Sequence, residues 1–352
     1  MRIVEKRRAI NTLSAEEGEL PIVVPAGGMT SVSFKSDPQQ HVGLVLLFDE
    51  PDAPITMSVS RTESGSEKLL GADKSGLGRR MLSVFDPGDP REYLVDISTT
   101  GARVSCVLSI IRTNFADAST CNSDCGRLLQ LPLPSNQLID GYRPTTNTLF
   151  RYQFGRRDLI MFVRHVAHTM RQAGYGLVIP LDLSQWDGDT PGMDVGKPRH
   201  HSHKRGRDVD LSLFDNSATA RLRAYCDTMP SPEKGLEPSP GEYIYSRKVR
   251  SDASSSGQLV CRSGRVHDFN AYAIAQMLGL FFETRAVTLS FLDHELLLLV
   301  KEAAQLTLRD GLITPKIAAL FADGIHLQHW PNHIDHIHIR VRETGKQSNV
   351  RV

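Results

Sequence analysis

The spacing of apolar residues changes once along this chain of 352 residues, and that change constrains the fold more than any other feature. From Ile22 to Thr113, short β-type runs alternate with turn residues such as Gly27-Gly28 and Asp86-Pro87-Gly88. Strands at this spacing are typical of a β-sandwich. After about residue 150 the apolar residues recur with the period of 3.6 that marks an amphipathic helix. A chain of this length also exceeds what one hydrophobic core usually organises, so we expect two domains.

We predict an N-terminal all-β sandwich at residues 1–115, acting as an accessory or binding domain, and a C-terminal α+β domain at residues 148–352. Residues 116–147 show no clear period and are predicted to be a linker. The strands predicted in the first domain are Thr30–Phe34, Val42–Phe48, Ile55–Val59, Tyr93–Ile97 and Val104–Arg112. The second domain is predicted to contain helices at about 158–173, 270–282, 294–305 and 315–321, and strands at 176–181, 208–214, 286–292 and 336–341.

The overall composition excludes several classes of protein. With 41 basic against 40 acidic residues, the chain as a whole carries no nucleic-acid-binding signature. No apolar run is long enough for a membrane-spanning helix, so no membrane span is expected. The basic run Lys6-Arg7-Arg8 is not followed by the apolar stretch of a secretory signal, and we therefore expect synthesis in the cytoplasm without a signal peptide.

The five cysteines form no Cys-x-x-Cys pair, which argues against a thiolate zinc site or a disulfide framework. Free thiols are therefore expected. A small loop closed by Cys121 and Cys125 in an oxidising compartment stays open as an alternative. The segment Thr228–Ser263, rich in Ser, Pro, Gly and charges, is expected to be a surface insertion without chemistry.

Six of the thirteen histidines lie in two short segments. In the first, Asp208 to Phe214 alternates so that Asp208, Asp210 and Ser212 share the face opposite the core. Gly206 could supply a tight turn that returns His203 over this face. We expect Asp208 to stabilise the turn or to orient a histidine rather than to bind a metal. The histidines of this first segment are His200, His201 and His203, of which His201 is expected to be incidental.

The second segment contains His333, His336 and His338 and ends in another clean alternation. Two such strands, paired antiparallel, would place one aspartate beside one or two histidines. Imidazole and carboxylate ligands suit zinc, and three protein ligands leave a position for water. The spacing does not decide whether His336 or His338 is the ligand. Asp335 is expected to be only a loop carboxylate.

These residues carry a resemblance to a known group of enzymes. The pattern His203-x6-Asp210 followed by His336-x-His338 resembles the zinc metallopeptidases related to lysostaphin and the D-alanyl-D-alanine dipeptidases, known as the LAS group. Ser202-His203-x-x-Gly206-x-Asp208-Val209-Asp210, the triple His333-x-x-His336-x-His338 and Asp182-Leu183-Ser184 are most similar to the penicillin-insensitive murein endopeptidases. The resemblance covers about Phe154 to Arg342.

The resemblance implies a LAS-type fold for the second domain and His203, Asp210 and His338 as zinc ligands. It also implies His336, His333 and His200 as catalytic histidines. The implied activity is cleavage of cross-links between D-alanine and a diamino acid in bacterial peptidoglycan, with stem peptides as partners. Lys204 departs from the uncharged polar residue that is usual in that family, which bears on substrate preference.

Several functions stay open beside the endopeptidase. A D,D-carboxypeptidase or dipeptidase would use the same zinc set, and a non-catalytic wall-binding protein could keep the metal without the chemistry. A metal nuclease built on Asn332-His333 is the remote alternative. Without an export signal, we favour an antibacterial toxin that a dedicated secretion system delivers to the wall of a target cell, together with an immunity or secretion partner. A phage-type endolysin released by lysis is the second possibility.

Overall fold

In a computed structural model of the protein, the chain is described over nine stretches, which lie in both predicted domains and in the segment between them. These stretches are residues 10–12, 18–63, 66–74, 78–86, 90–114, 127–145, 148–200, 202–231 and 258–342. The candidate loop cysteines Cys121 and Cys125 and the histidine His201 lie outside them.

The chain divides into two compact units. The first comprises residues 1–118 together with 130–135 and 149–151, and the second comprises residues 119–129, 136–148 and 152–352. The segment predicted as a linker is therefore shared between the units. One reason is Leu133, which is buried in the apolar core of the first unit although it lies far along the chain from that unit's strands.

The first unit is built from two β-sheets. One has the strand order β1-β3-β8-β5-β6 and the other β2-β9-β4-β7. Within these sheets the neighbouring strands are antiparallel, except that β1 and β3 are parallel. Its strands are β1 Ile10–Thr12, β2 Gly18–Val24, β3 Met29–Ser36, β4 Gln40–Phe48, β5 Ile55–Glu63, β6 Ser66–Asp73, β7 Arg79–Asp86, β8 Arg91–Thr99 and β9 Val104–Asn114.

Alternate residues of these strands build a single core between the two sheets. Val42, Leu44 and Leu46 of β4 are fully buried, as the period of two requires. All five strands predicted for this region are confirmed, whereas β1, β2, β6 and β7 were not predicted. Strand β7 begins with two arginines, and Arg80 is buried because its guanidinium donates to the carbonyl oxygen of Ile55 at 2.7 Å.

The second unit combines short strands with helices. Its helices are α1 Gln137–Asp140, α2 Arg157–Gln172, α3 Ala271–Glu283, α4 His294–Arg309 and α5 Pro315–Ala322. The remaining strands are β10 Leu128–Gln130, β11 Phe154–Arg156, β12 Asp208–Phe214, β13 Ala220–Arg221, β14 Cys226–Pro230, β15 Leu259–Val266, β16 Val287–Leu292, β17 Gln328–His329 and β18 His336–Val341.

A five-stranded sheet of order β13-β12-β18-β16-β17 lies at the centre of this unit. Strands β12 and β18 are antiparallel neighbours, and their register pairs Asp210 with His338 and Ser212 with His336. The opposite face of these two strands is apolar and fully buried. It consists of Val209, Leu211, Leu213, Ile337, Ile339 and Val341.

The four helices predicted in this unit are confirmed. Three of them begin at a side-chain cap, because Asn270, Asp293 and Thr314 each accept a hydrogen bond from a backbone N–H of the first turn. Helix α2 buries the predicted apolar face that includes Leu159 and Val166. None of the helices in the described part of the chain is long and apolar enough to cross a membrane.

Two predictions for this unit are wrong. Residues 176–181 form only isolated bridges, through Val178 and Pro180, rather than a strand. Proline has no N–H to donate, which limits ladder formation there. The expectation of free thiols fails for Cys226 and Cys261, which form a disulfide with Cα atoms 5.5 Å apart.

The disulfide joins strands β14 and β15, which form an antiparallel pair at the two ends of the predicted insertion. Residues separated by 35 positions come together in this pair, so no local spacing could reveal the bond. Cys106 is a buried free cysteine, as expected.

Candidate functional site

The site lies on the polar face of β12 and β18. Asp208 and Asp210 project from β12, and His336 and His338 project from β18. The four side chains share one face because each strand places alternate residues on the same side. His338 Nδ1 lies 3.0 Å from Asp210 Oδ1, so the antiparallel pairing predicted from the two alternating patterns is confirmed.

A tight turn before β12 brings His203 to the same face. His203, Arg205 and Gly206 all have positive φ angles, of 60°, 58° and 65°. A Cβ atom at Gly206 would lie 2.6 Å from the backbone nitrogen of Arg156, so only glycine fits there without a shift. The backbone N–H of His203 donates to Asp208 Oδ2 at 3.1 Å, which ties the turn to the strand. The turn predicted at Gly206 is confirmed.

The ring of His203 is oriented by a backbone group. Its Nδ1 lies 2.6 Å from the carbonyl oxygen of Leu183, which can only accept a hydrogen bond, so Nδ1 carries a proton. Its Nε2 is buried and lies 3.2 Å from Asp210 Oδ1, and Asp210 outweighs the effect of burial so that the pKa of His203 is raised. The ring of His203 is therefore held at one nitrogen by a backbone carbonyl and directed at Asp210 by the other.

The ring of His338 lies between two carboxylates. Its Nδ1 faces Asp210 and its Nε2 lies 2.9 Å from Asp208 Oδ1. The same Asp208 oxygen accepts a hydrogen bond from Arg340 Nε at 2.6 Å. The prediction that Asp208 orients a histidine is confirmed. A carboxylate behind a histidine is the usual support of a metal-binding imidazole.

His200 enters the cluster from the loop before the turn. Its Nε2 lies 2.9 Å from Asp182 Oδ2, and its Nδ1 lies 3.9 Å from Asp210 Oδ2. Asp182 is fully buried and is also contacted by Arg199 Nε at 3.3 Å and by the hydroxyl of Thr148. Asp182 is thus a second buried carboxylate, and it holds the ring of His200 in place.

Three of these residues form a group that could hold a metal ion. Potential ligand atoms of His200, His203 and Asp210 all lie within 4.8 Å of one another. His338 contacts Asp210 directly but is not a member of that group. Three histidines therefore lie around Asp210, with His203 and His338 beside Oδ1 and His200 beside Oδ2.

His333 and His336 flank the cluster. His336 Nε2 lies 3.9 Å from Asp210 Oδ2, and the ring centroids of the two histidines are 4.7 Å apart. His333 Nδ1 donates to the carbonyl oxygen of Pro331 at 2.9 Å. All six of the predicted site residues therefore lie together: His200, His203, Asp210, His333, His336 and His338.

The buried charges shift the acid–base properties of the cluster. Burial alone raises the pKa of Asp210, but the neighbouring His203 and His336 outweigh it and hold that pKa well below its ordinary value. Burial lowers the pKa of His338, and the two carboxylates beside it reverse the effect, so its pKa is raised. For His333, burial and the nearby His336 act together and hold the pKa well below the ordinary value. The cluster thus contains histidines whose pKa values are shifted in opposite directions.

One residue of the site was misjudged from the sequence. Asp335, expected to be only a loop carboxylate, is buried and lies 2.6 Å from His336 Nδ1 through Oδ1. Residues adjacent in a chain usually point apart in a strand, so alternation argued against this contact. Asp335 immediately precedes β18, where the backbone is not yet extended, and its side chain can turn toward its neighbour.

Comparison with known proteins assigns no family to the chain. No family model matches, and no curated protein matches. Among solved structures, a pre-peptidase C-terminal domain of collagenase from Bacillus anthracis matches with 12% identity, over 30% of this chain and 99% of that one, with a TM-score of 0.26. A periplasmic inhibitor of g-type lysozyme from Aeromonas hydrophila matches with 13% identity, over 30% of this chain and all of that one, with a TM-score of 0.24. At such TM-scores these similarities support no statement about function.

Proposed function

We propose that this protein is a zinc-dependent peptidoglycan hydrolase that cleaves cross-links between D-alanine and a diamino acid. The observation that carries the proposal is the buried Nε2 atom of His203. It lies 3.2 Å from Asp210 Oδ1, and His338 and His200 converge on the same buried carboxylate. A set of imidazoles around one carboxylate is the donor chemistry that zinc prefers, and zinc would take the place of the protons on the ligating nitrogens.

The proposed ligands are His203 through Nε2, Asp210 through its carboxylate and His338 through Nδ1. In each histidine the other ring nitrogen already bonds a carbonyl or carboxylate oxygen, which fixes the ring and presents the remaining nitrogen to the metal. We choose His338 over His200 because it stands on a strand in direct register with Asp210. When bound, zinc would supply Lewis acidity, which activates water and polarises a scissile carbonyl.

His333 and His336 would handle the protons of the reaction. The pKa of His333 is held well below its ordinary value, first by burial and then by His336, so its ring is neutral and its Nε2 can accept a proton. His336 faces Asp210 through Nε2, where it can donate a proton or stabilise a developing oxyanion. Burial lowers the pKa of His336, but Asp210 and Asp335 outweigh it and raise that pKa, so the pKa values of His333 and His336 are shifted in opposite directions, which suits acid–base hydrolysis.

The choice of peptidoglycan rests on the resemblance of residues 154–342 to murein endopeptidases, and so does the proposed LAS-type fold of the second unit. The Cys226–Cys261 disulfide supports action in an oxidising compartment such as the periplasm. We propose delivery to a target cell as an antibacterial effector, with release by lysis as the alternative route. In either case the first unit would bind the wall, the delivery machinery or another partner.

The test combines metal content with digestion of the wall. Purified protein is expected to contain about one zinc ion per chain and to convert cross-linked muropeptides of purified sacculi into monomers. His203→Ala and Asp210→Ala are expected to lose both properties. His165→Ala, which changes an exposed histidine on α2, is the matched control and should retain both.

Two further variants decide the third ligand. His338→Ala is expected to lose zinc, whereas His200→Ala should keep most of it and lose activity. Wild-type zinc content in His203→Ala and His338→Ala together would refute the proposed metal site. Intact cross-links after incubation with zinc-loaded wild-type protein would refute the proposed reaction.

A further inference from the structure

The carboxylate of Asp335 holds one histidine of the site from behind. Asp335 Oδ1 lies 2.6 Å from His336 Nδ1, and both side chains are buried, with 6% and 9% of their residues' surface exposed. An ionised carboxylate can only accept hydrogen bonds, so this contact requires a proton on Nδ1. The ring of His336 therefore presents Nε2 to the cluster, 3.9 Å from Asp210 Oδ2.

The backbone on both sides of Asp335 is fixed. The carbonyl oxygen of Ile334 accepts a hydrogen bond from the N–H of Tyr225 at 3.1 Å. His336 is the first residue of β18 and is paired with Ser212 of β12. Since the backbone is anchored immediately before and after Asp335, its carboxylate is held in a fixed position.

The neighbouring His333 is held differently, although its ring lies close to that of His336. Its Nδ1 bonds the neutral carbonyl oxygen of Pro331 instead of a carboxylate. Both rings thus carry their proton on Nδ1 and present Nε2, but only His336 has an anionic partner. A charge-assisted bond of this kind is stronger and more directional than one to a carbonyl group.

We infer that Asp335 is a positioning residue that fixes the tautomer and orientation of His336 and so makes that histidine the one that passes protons to the reacting centre. The inference rests on the proposed function, since it assigns a role within the same site. Among the described residues, the side-chain hydrogen bond of Asp335 goes to the imidazole of His336. Asp335 acts only through the imidazole of His336.

The first arm of the test measures catalysis on the zinc-loaded full chain. Asp335→Ala is expected to lower kcat by ~10- to 100-fold, the usual effect of losing a carboxylate behind a functional histidine, with KM and zinc content unchanged. Asp335→Asn keeps an acceptor for the Nδ1 proton and should recover most of the lost rate. In a His336→Ala background, the further change Asp335→Ala should have no effect on kcat, because the two residues act as a unit.

Asp323→Ala is the matched control. Asp323 also pairs with a histidine Nδ1, that of His326, but this pair is partly exposed and belongs to a different loop. The control should leave kcat at the wild-type value. If Asp335→Ala lowers zinc content, or lowers kcat equally with and without His336, the carboxylate supports the fold or the metal instead, and the inference fails.

The second arm does not depend on activity. Nitrogen-15 NMR of histidine side chains in the wild-type protein, with and without zinc, should show His336 protonated on Nδ1, and Asp335→Ala should shift it toward a mixture of tautomers. A wild-type His336 protonated only on Nε2 would overturn the inference. Wild-type protein that fails to cut sacculi would instead count against the proposed function, while the tautomer measurement would still decide the role of Asp335.

Discussion

Replacing Asp208 by asparagine tests whether the carboxylate behind His338 supports metal binding. Asp208 accepts three hydrogen bonds, from the backbone N–H of His203 on one oxygen and from His338 and Arg340 on the other. An asparagine has one oxygen and one NH₂ group, so it cannot accept all three. With the oxygen toward His338 and Arg340, the NH₂ group faces the N–H of His203, donor against donor. With the opposite orientation, both charge-assisted bonds are lost.

The less costly orientation of Asp208→Asn leaves one buried donor unsatisfied and weakens the support of His338. We expect zinc affinity to fall by ~10- to 100-fold, which corresponds to about 1.4 to 2.7 kcal/mol. Competition with a chromophoric chelator measures the affinity. Asp227→Asn, at an exposed position of β14, is the control and should bind zinc like the wild type. Wild-type affinity in Asp208→Asn would refute the reasoning.

Three further predictions concern the elements that hold the site. The pKa of Asp215 is lowered to about 2, against burial, by Ser217, Thr219 and Arg221. Its contribution to stability is therefore present above pH ~4 and lost as the pH falls toward 2, and Asp215→Asn should cost about 2 kcal/mol at pH 7 and little at pH 2 in urea unfolding. Gly206→Ala should cost about 1 to 3 kcal/mol, because it combines positive φ with a backbone clash, and unchanged unfolding would contradict this. Removing the disulfide by Cys226→Ser with Cys261→Ser should lower the unfolding free energy by about 2 to 4 kcal/mol, checked against the reduced wild type, which should lose as much.

Much of the fold could be predicted because it depends on short-range periodicity. The period of two in Asp208–Phe214 and in the strand that contains His338 determined which side chains share a face, whatever the rest of the chain does. The apolar stripe of α2 and the capping residues of α3, α4 and α5 are equally local. Strand β7 was not predicted because it begins with two arginines, and the burial of Arg80 depends on the carbonyl group of Ile55 in another strand.

The amino-acid sequence by itself determined which functional groups are present. It identified six site residues and two polar strand faces, on which Asp208, Asp210, His336 and His338 stand. Only the tertiary structure decided which nitrogen of each histidine ring bonds a supporting oxygen atom and which one faces Asp210. The Nε2 atom of His203 is directed at Asp210 because a carbonyl from a separate segment binds Nδ1. The contact between Asp335 and His336 and the Cys226–Cys261 disulfide were likewise decided in three dimensions. Hydrogen bonds depend on positions to within fractions of an ångström, which strand register and turn geometry establish and residue spacing does not.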